Sequence, residues 1–373
     1  MISRQIIQNI KQEFFQKKAI ILLGARQVGK STLLKNIFKD ADDVLWLDAE
    51  NPDVHAIFEN ATATRLKTFF ENNKFIVIDE AQKIENIGSK LKLITDYLPE
   101  IQVIATGSSA FELRNKLNEP LTGRKFEHKL FPLSFNEMKN EIGLLEEIRM
   151  LPHRLVYGYY PEVVTTKNSE EKILQSISDS YLYKDILLFN GIRKPEKIQG
   201  LLKELALQIG SEVNYNELGK LIGLKSETVE EYINLLEQSF VIYRLNSFHS
   251  NQRKEIKKGK KIYFNDLGIR NAIINDFSPF ETRKDKGNLF ENFVINEFIK
   301  QNEYQEKIQK MYFWRTHEQQ EIDLIIEKNN MLRAIEIKWN PKIKARLSQT
   351  FASKYQNHTF EVVNSDNFFE FLI

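Results

Sequence analysis

The sequence predicts an α/β chain: a parallel, helix-covered sheet first, then a helical region ending in a hairpin, then a second, smaller α/β domain. Three observations predict it. Residues 20–23, 44–47, 75–78 and 101–105 are continuous apolar runs that stop at Gly24, Asp48, Asp79 and Thr106. Unbroken rather than alternating apolar runs belong to strands buried on both faces. Helical apolar spacing fills the intervals, over 32–38, part of 53–72 and 87–98. Past residue 196 the order changes, to three helical patterns and two strands, and past 286 to one helix and three strands.

Composition sets the bounds. A chain of 373 residues has room for two or three domains. Its 42% hydrophobic and 28% charged residues are those of a soluble globular protein. No apolar run reaches the length of about 18 residues that a membrane span needs. The first 15 residues read as an amphipathic helix and lack the apolar core and cleavage site of a signal peptide. The absence of cysteine excludes disulfides and cysteine-ligated metals and fits a cytoplasmic location. A net charge of +2 says nothing about partners.

The first run leads into Gly24-Ala25-Arg26-Gln27-Val28-Gly29-Lys30-Ser31-Thr32, the pattern G-x-x-x-x-G-K-S between a buried strand and a helix. The glycines let the backbone curl so that successive N–H groups point at phosphate oxygens. The helix that follows aims its positive end at the same anion. Lys30 would reach the β- and γ-phosphates and the Ser31 hydroxyl would ligate Mg²⁺, so the stretch predicts an ATP site. Asp79, at the end of the third run, reads as the acid that holds Mg²⁺. Glu80 beside it is the natural base for an attacking water. Ser108 or Thr106, at the end of the fourth run, is placed to sense the γ-phosphate.

The segments GARQVGKSTLL, FIVIDEAQKI, VIATGSSAFEL and LTGRKFEHKLFPLSF resemble the AAA-type ATPase domain of a large group of prokaryotic ATP-binding proteins. In that group a domain of unknown function follows, and GYYPEVV, YFNDLGIRNAI, GNLFENFVINEF and EIDLIIE are similar to it. The resemblance covers most of the chain and implies a P-loop NTPase domain over residues 1–140. It also implies that Arg124, in LTGR, is a cation contacting the phosphates in cis or in trans. Arginines acting in trans in related ATPases make a homo-oligomer an expectation. Arg26, Asp185 and Arg193 are typical of the group without a role that local chemistry assigns.

Residues 141–195 read as a connecting region with helices over 141–150, 152–159 and 170–189. Over 196–275, helices at 197–209, 216–222 and 226–238 precede strands at 241–245 and 261–264, the order of a winged helix-turn-helix. The wing is basic, with Arg253, Lys254, Lys257, Lys258, Lys260 and Lys261 around one acid, Glu255, which suits contact with DNA or RNA phosphates. The helix before it argues the other way. Val229, Ile233, Leu236 and Phe240 mark its buried side, leaving Glu227, Glu230, Glu231 and Asn234 outward, where phosphates would be repelled. A structural or interdomain module is therefore the leading reading, and nucleic-acid contact through the wing is the other.

Residues 278–373 form the last domain. A helix over 287–299 leaves Glu291 beside its apolar stripe, and strands follow at 311–315, 322–327 and 333–339. Asn329-Asn330 suits a two-residue hairpin turn, because asparagine tolerates positive φ. If Lys328 pairs with Met331, Asp323 falls opposite Glu336 and Glu321 opposite Lys338. Two opposed carboxylates are destabilising without a cation between them, and a second Mg²⁺ or a Mn²⁺ beside Lys338 resolves this. D…E-x-K on adjacent strands, with an acid on a preceding helix, resembles the restriction-endonuclease-like fold. That resemblance implies metal binding by Asp323 and Glu336, with Glu291 and Lys338 completing a nuclease site. The sequence thus predicts an ATPase coupled to a nuclease-like module. Its rival is a nucleotide-dependent switch or scaffold whose last domain binds nucleic acid or protein without cutting.

Overall fold

Five strands of the amino-terminal half lie parallel in the computed structural model, four of them the apolar runs that the sequence marks. Residues 2–108, 117, 121–187, 195–249, 259–307 and 309–373 are described. They divide into one unit of Arg4–Phe131 with Gln238–Phe240 and a second made chiefly of Pro132–Glu237 and Val241–Ile373. In the first unit, α1 (Ile7–Gln12), β1 (Ala19–Gly24), α2 (Lys30–Ile37), β2 (Val44–Asp48), α3 (Pro52–Phe58), α4 (Ala63–Phe70), β3 (Phe75–Asp79), α5 (Ile87–Tyr97), β4 (Gln102–Gly107) and β5 (Lys125–Leu130) follow one another. The strand order is β2-β3-β4-β1-β5. Every residue of β1 and β4, the inner strands on either side of that junction, is buried. The order sets β4 between the strand that feeds the glycine loop and the strand that ends in Asp79, so their carboxyl ends meet at one edge.

Strand β5 was not read from the sequence. Lys-Phe-Glu-His-Lys-Leu carries charges because it is an edge strand whose side chains are mostly half-buried. Its pairing with β1 runs from Ala19↔Lys125 to Gly24↔Leu130. The amino-terminal helix is also shorter than its amphipathic pattern suggested.

The second unit opens with α6 (Phe135–Ile142), α7 (Leu144–Tyr157), α8 (Pro161–Thr165) and α9 (Glu170–Leu187). Pro152, expected to begin a helix, lies inside α7. Then come α10 (Pro195–Leu207), β6 (Glu212–Val213), α11 (Tyr215–Ile222), α12 (Ser226–Gln238), β7 (Ile242–Ser247), β8 (Lys260–Phe264) and α13 (Leu267–Ile273). The chain ends with α14 (Lys286–Tyr304), β9 (Lys310–Arg315), β10 (Glu321–Lys328), β11 (Met331–Lys338), α15 (Gln349–Lys354), β12 (His358–Asn364) and α16 (Phe368–Leu372).

Seven strands make one sheet in the order β12-β11-β10-β9-β7-β8-β6. The parallel pairing of β7 with β9, through Asn246↔Tyr312 and Ser247↔Phe313, carries the sheet across residues 275–278. Strands expected of two modules thus share one sheet. Helix α14 is tied in at both ends of its buried stretch. Asn292 exchanges two hydrogen bonds of 2.8 Å with the Phe264 backbone at the end of β8. Further along, Glu297 accepts from the Phe135 N–H at 2.9 Å and Lys300 donates to the Leu133 carbonyl at 2.8 Å. Among the described residues no helix is long and apolar enough to cross a membrane.

Candidate functional site

The glycine loop has the backbone its spacing demands. Gly29 adopts φ 98° immediately before α2, and Gln27 φ 60°, so the chain reverses within five residues. A side chain at Gly24 would collide with the Leu130 carbonyl of β5. Ala25 and Val28 are buried, Arg26, Gln27 and Thr32 are exposed, and Lys30 is 6% exposed. The Lys30 ammonium donates to the carbonyls of Gly24 and Ala25 at 2.9 and 3.0 Å, folded back over its own loop. Arg4, which sequence reading passed over, donates to the Val28 carbonyl at 3.1 Å and to the Phe131 carbonyl at 2.5 Å. It therefore clamps the loop to the end of β5 from a buried position.

The two acids after β3 are separated in role by their partners. Ser31 donates to one oxygen of Asp79 at 2.6 Å, and Thr106 donates to the other. That arrangement brings the predicted Mg²⁺ ligands Ser31 and Asp79 into contact, and all the donors are oxygens, which suit a hard cation. Glu80 sits at φ 50° and turns its carboxylate the other way. One of its oxygens accepts from Gln82 at 2.5 Å and from Ser108 at 2.9 Å. Gln82, on the short turn after Glu80, was not singled out from sequence; Thr106 and Ser108 were. Their convergence follows from β4 lying beside β3.

Arg124 is a correction. It precedes β5 at the sheet edge opposite the glycine loop, its carbonyl bonded to the Ala19 N–H at 2.9 Å. Six residue steps of strand, roughly 20 Å at about 3.3 Å per residue, separate it from Leu130 beside Gly24. Its guanidinium instead pairs with Asp96 at 2.7 Å. It does not stand beside its own glycine loop.

A second cluster lies in the seven-stranded sheet. The hairpin turn is as expected, with Asn329 at φ 50° and Asn330 at φ 63°. Pairing from Lys328↔Met331 to Leu324↔Ile335 keeps the predicted register. A bulge between Ile322 and Ile325 in the pairing of β10 with β9 interrupts the ladder at Asp323. Asp323 accepts from the Ile337 N–H at 2.8 Å and from the Lys338 ammonium at 3.0 Å. Lys338 also meets Glu336 at 2.7 Å, so its ammonium stands between the two acids where a divalent ion was expected. Glu321, expected opposite Lys338, makes its ion pairs with Lys261 and Arg315.

Lys261 is the second correction. It is 2% exposed, paired with Glu291 at 3.1 Å and with Glu321, and cannot meet a phosphate from the surface. Lys260 pairs with Glu230 at 3.3 Å and lies over the Tyr215 ring. Arg253, Lys254, Lys257 and Lys258 lie outside the described residues, as do Ser109 and the side chains of Asp185 and Arg193. The outward acids Glu227, Glu230 and Glu231 are exposed, as their spacing implied.

The cluster's protonation follows from crowding. Burial, then Asp323, pushes the Glu336 carboxyl up to about 7 against the pull of Lys338. Burial pushes Glu291 up to about 6, with Lys261 opposing and Asp323 adding to the rise. Burial disfavours the charged forms of Lys338 and Lys261, yet the facing carboxylates outweigh it and hold both ammonium groups above their ordinary range. Among the described residues, no group of three or more His, Cys, Asp or Glu side chains is arranged to hold a metal ion. The donors present remain compatible with Mg²⁺, which is commonly held by only one or two carboxylates.

The parallel sheet, the glycine loop and the acid pair define a P-loop ATPase domain of the AAA type. Residues 16–139 match the family model of an AAA domain. Residues 148–279 and 286–371 match two domains of unknown function, DUF8612 and DUF4143. The chain is 24% identical to an uncharacterized protein of Haemophilus influenzae over 369 residues, covering 90% of this chain and 86% of that one. It is likewise 24% identical to an uncharacterized protein of Mycobacterium tuberculosis, over 90% of this chain and 73% of the other. Among solved structures, the Walker-type ATPase of Pyrococcus abyssi superposes with a TM-score of 0.52 at 14% identity, over 73% of this chain and 96% of that chain. That likeness is one of fold.

Proposed function

We propose that this protein hydrolyses ATP and couples the nucleotide state to a carboxylate–lysine site that acts on nucleic-acid phosphodiesters. On the ATP side, the loop N–H groups and Lys30 hold the phosphates, Ser31 and Asp79 hold Mg²⁺, and Glu80 takes the proton of the attacking water. Mg²⁺ supplies neutralisation of the phosphate charge. Gln82 and Ser108 hold Glu80 in place until it acts.

One observation carries the second half of the reading: the carboxylates of Asp323 and Glu336 both lie within 3.0 Å of the Lys338 ammonium, and Asp323 acts electrostatically on Glu291, the partner of Lys261. Asp323 and Glu336 would hold Mg²⁺ or Mn²⁺, and that ion would make water a better nucleophile at neutral pH. Lys338 would move toward the phosphate once the ion takes over its carboxylates. The order helix–strand–helix–helix–strand–strand over α10 to β8 fits a winged helix, which would serve as the nucleic-acid-facing or interdomain element. The placement of Arg124 away from its own loop favours any phosphate contact it makes being in trans, within a homo-oligomer.

A second reading, a switch whose last domain binds without cutting, is favoured by the way Lys338 already satisfies both acids. The test is a comparison of full-length chains. Lys30→Ala should lose ATP binding and turnover, and retained turnover overturns the ATPase reading. Slow turnover with tight nucleotide retention in the unaltered chain would support the switch.

A further inference from the structure

We propose that Lys261 and Tyr263, alternate residues on one face of β8, are positioning residues of the carboxylate site, holding Glu291 by one oxygen so that the other is presented to a divalent ion shared with Asp323. The proposal rests on the reading of Asp323 and Glu336 as a divalent-ion site and names what completes it.

Period-two alternation brings Lys261 and Tyr263 to the same side of the strand, and both are buried. The Tyr263 hydroxyl donates to Glu291 Oε1 at 2.7 Å, and the Lys261 ammonium donates to the same oxygen at 3.1 Å. Two donors converging on one carboxylate oxygen hold that oxygen in place and leave the other for a different partner. The helix that carries Glu291 is registered on the same strand, through the paired hydrogen bonds of Asn292 with the Phe264 backbone. Gly210, at φ +75°, packs beside the pair. A Cβ there would stand 3.5 Å from Glu291 Oε1 and 3.6 Å from the Tyr263 ring. Lys261 also pairs with Glu321, two residues before Asp323 on β10, so one ammonium ties helix, strand and bulge together.

A lysine dehydrated among carboxylates adds little net stability over an apolar side chain of similar size. A geometric role accounts for both donors meeting one oxygen. The residues lie in different matched regions, β8 within 148–279 and α14 within 286–371. The last domain by itself would therefore lack the groups that orient its helix acid, and the two regions act as one site.

The experiment measures Mn²⁺ binding by electron paramagnetic resonance in the full chain. Nucleotide is omitted and Asp79→Asn is present throughout, so that the ATP site takes no metal. Tyr263→Phe removes one hydroxyl, keeps the ring and changes no charge. It should weaken Mn²⁺ binding about tenfold, the low end of the effect of outer partners on metal ligands. In a Glu291→Gln background the same change should have no effect, because the carboxylate it orients is gone. Lys261→Arg, which keeps the charge but replaces a point donor with a fork, should weaken binding with the same dependence on Glu291. Equal affinity in the Tyr263→Phe and unaltered chains, or an equal loss in both Glu291 backgrounds, overturns the positioning role. Mn²⁺ binding that Asp323→Ala leaves unchanged overturns the divalent-ion reading itself.

Discussion

The nucleotide loop and the carboxylate cluster solve the same problem, holding charge at a defined place, by opposite routes. The loop is nine consecutive residues, 24–32, and its phosphate-binding capacity would come from its own backbone N–H groups. Its geometry is therefore carried by local conformation, with Arg4 and Leu130 only bracing it. The cluster draws Lys261 and Tyr263 from β8, Glu291 from α14, Glu321 and Asp323 from β10, and Glu336 and Lys338 from β11. Which of these meet depends on the order of strands in a sheet, not on spacing along the chain. The glycine loop needs the strands around it mainly to bring Asp79 and Thr106 to its edge, whereas the second site depends on every element that delivers a side chain.

This contrast can be broken or sharpened by substitution. The largest effect belongs to Lys30→Ala, which removes the ammonium proposed to hold the phosphates, now resting on the carbonyls of Gly24 and Ala25. ATP turnover should fall by roughly a thousandfold, read as phosphate release, while thermal stability changes little. Next is Lys338→Met, which strands two buried acids. It should destabilise the second unit by about 3–5 kcal/mol in urea unfolding. Millimolar Mn²⁺ should restore much of that loss, and failure of Mn²⁺ to do so would argue that the acids are structural.

A third effect depends on pH. Glu336 has a carboxyl raised from 4.5 to about 7 in the folded chain, so between those values the folded state binds a proton that the unfolded state has lost. Its contribution is fully present below about 4.5 and is lost as pH rises through about 7. With chelator present, the melting temperature should therefore fall from pH 5 to pH 8, by the equivalent of on the order of 3 kcal/mol. Glu336→Gln should flatten that dependence, and an unchanged slope would show that Glu336 does not titrate as its surroundings imply. The smallest effect is that of Arg124→Ala. Its ion pair with Asp96 is exposed enough to contribute less than about 1 kcal/mol. At dilutions where the chain is monomeric, ATP turnover should stay within about twofold of the unaltered protein. A large loss there would place Arg124 at its own nucleotide after all.

The parts legible in the sequence are those decided locally. The strands that end at Gly24, Asp48, Asp79 and Thr106 could be read because each is a mostly apolar run, although Trp46 and Asp48 of the second are exposed rather than buried. The Asn329-Asn330 turn and its register could be read because two left-handed residues permit few hairpins. Strand β5 could not, since an edge strand keeps charges. The fate of Lys261 could not either: in the sequence it is one of six basic residues of a wing, and only the pairing of β7 with both β8 and β9 buries it against Glu291 and Glu321. The place of Arg124 was not legible for a similar reason, since its motif says nothing about which end of a parallel strand it occupies.

The central claim is that the carboxylate cluster does chemistry that ATP turnover does not. It is tested most directly by measuring ATP turnover and cleavage of labelled DNA and RNA oligonucleotides, with Mn²⁺ and ATP, in the same preparations of the unaltered chain and Asp323→Ala. The unaltered chain should cleave, and Asp323→Ala should lose cleavage by about a hundredfold or more while keeping its ATP turnover. Absence of cleavage by the unaltered chain, or cleavage that survives Asp323→Ala, would contradict the account.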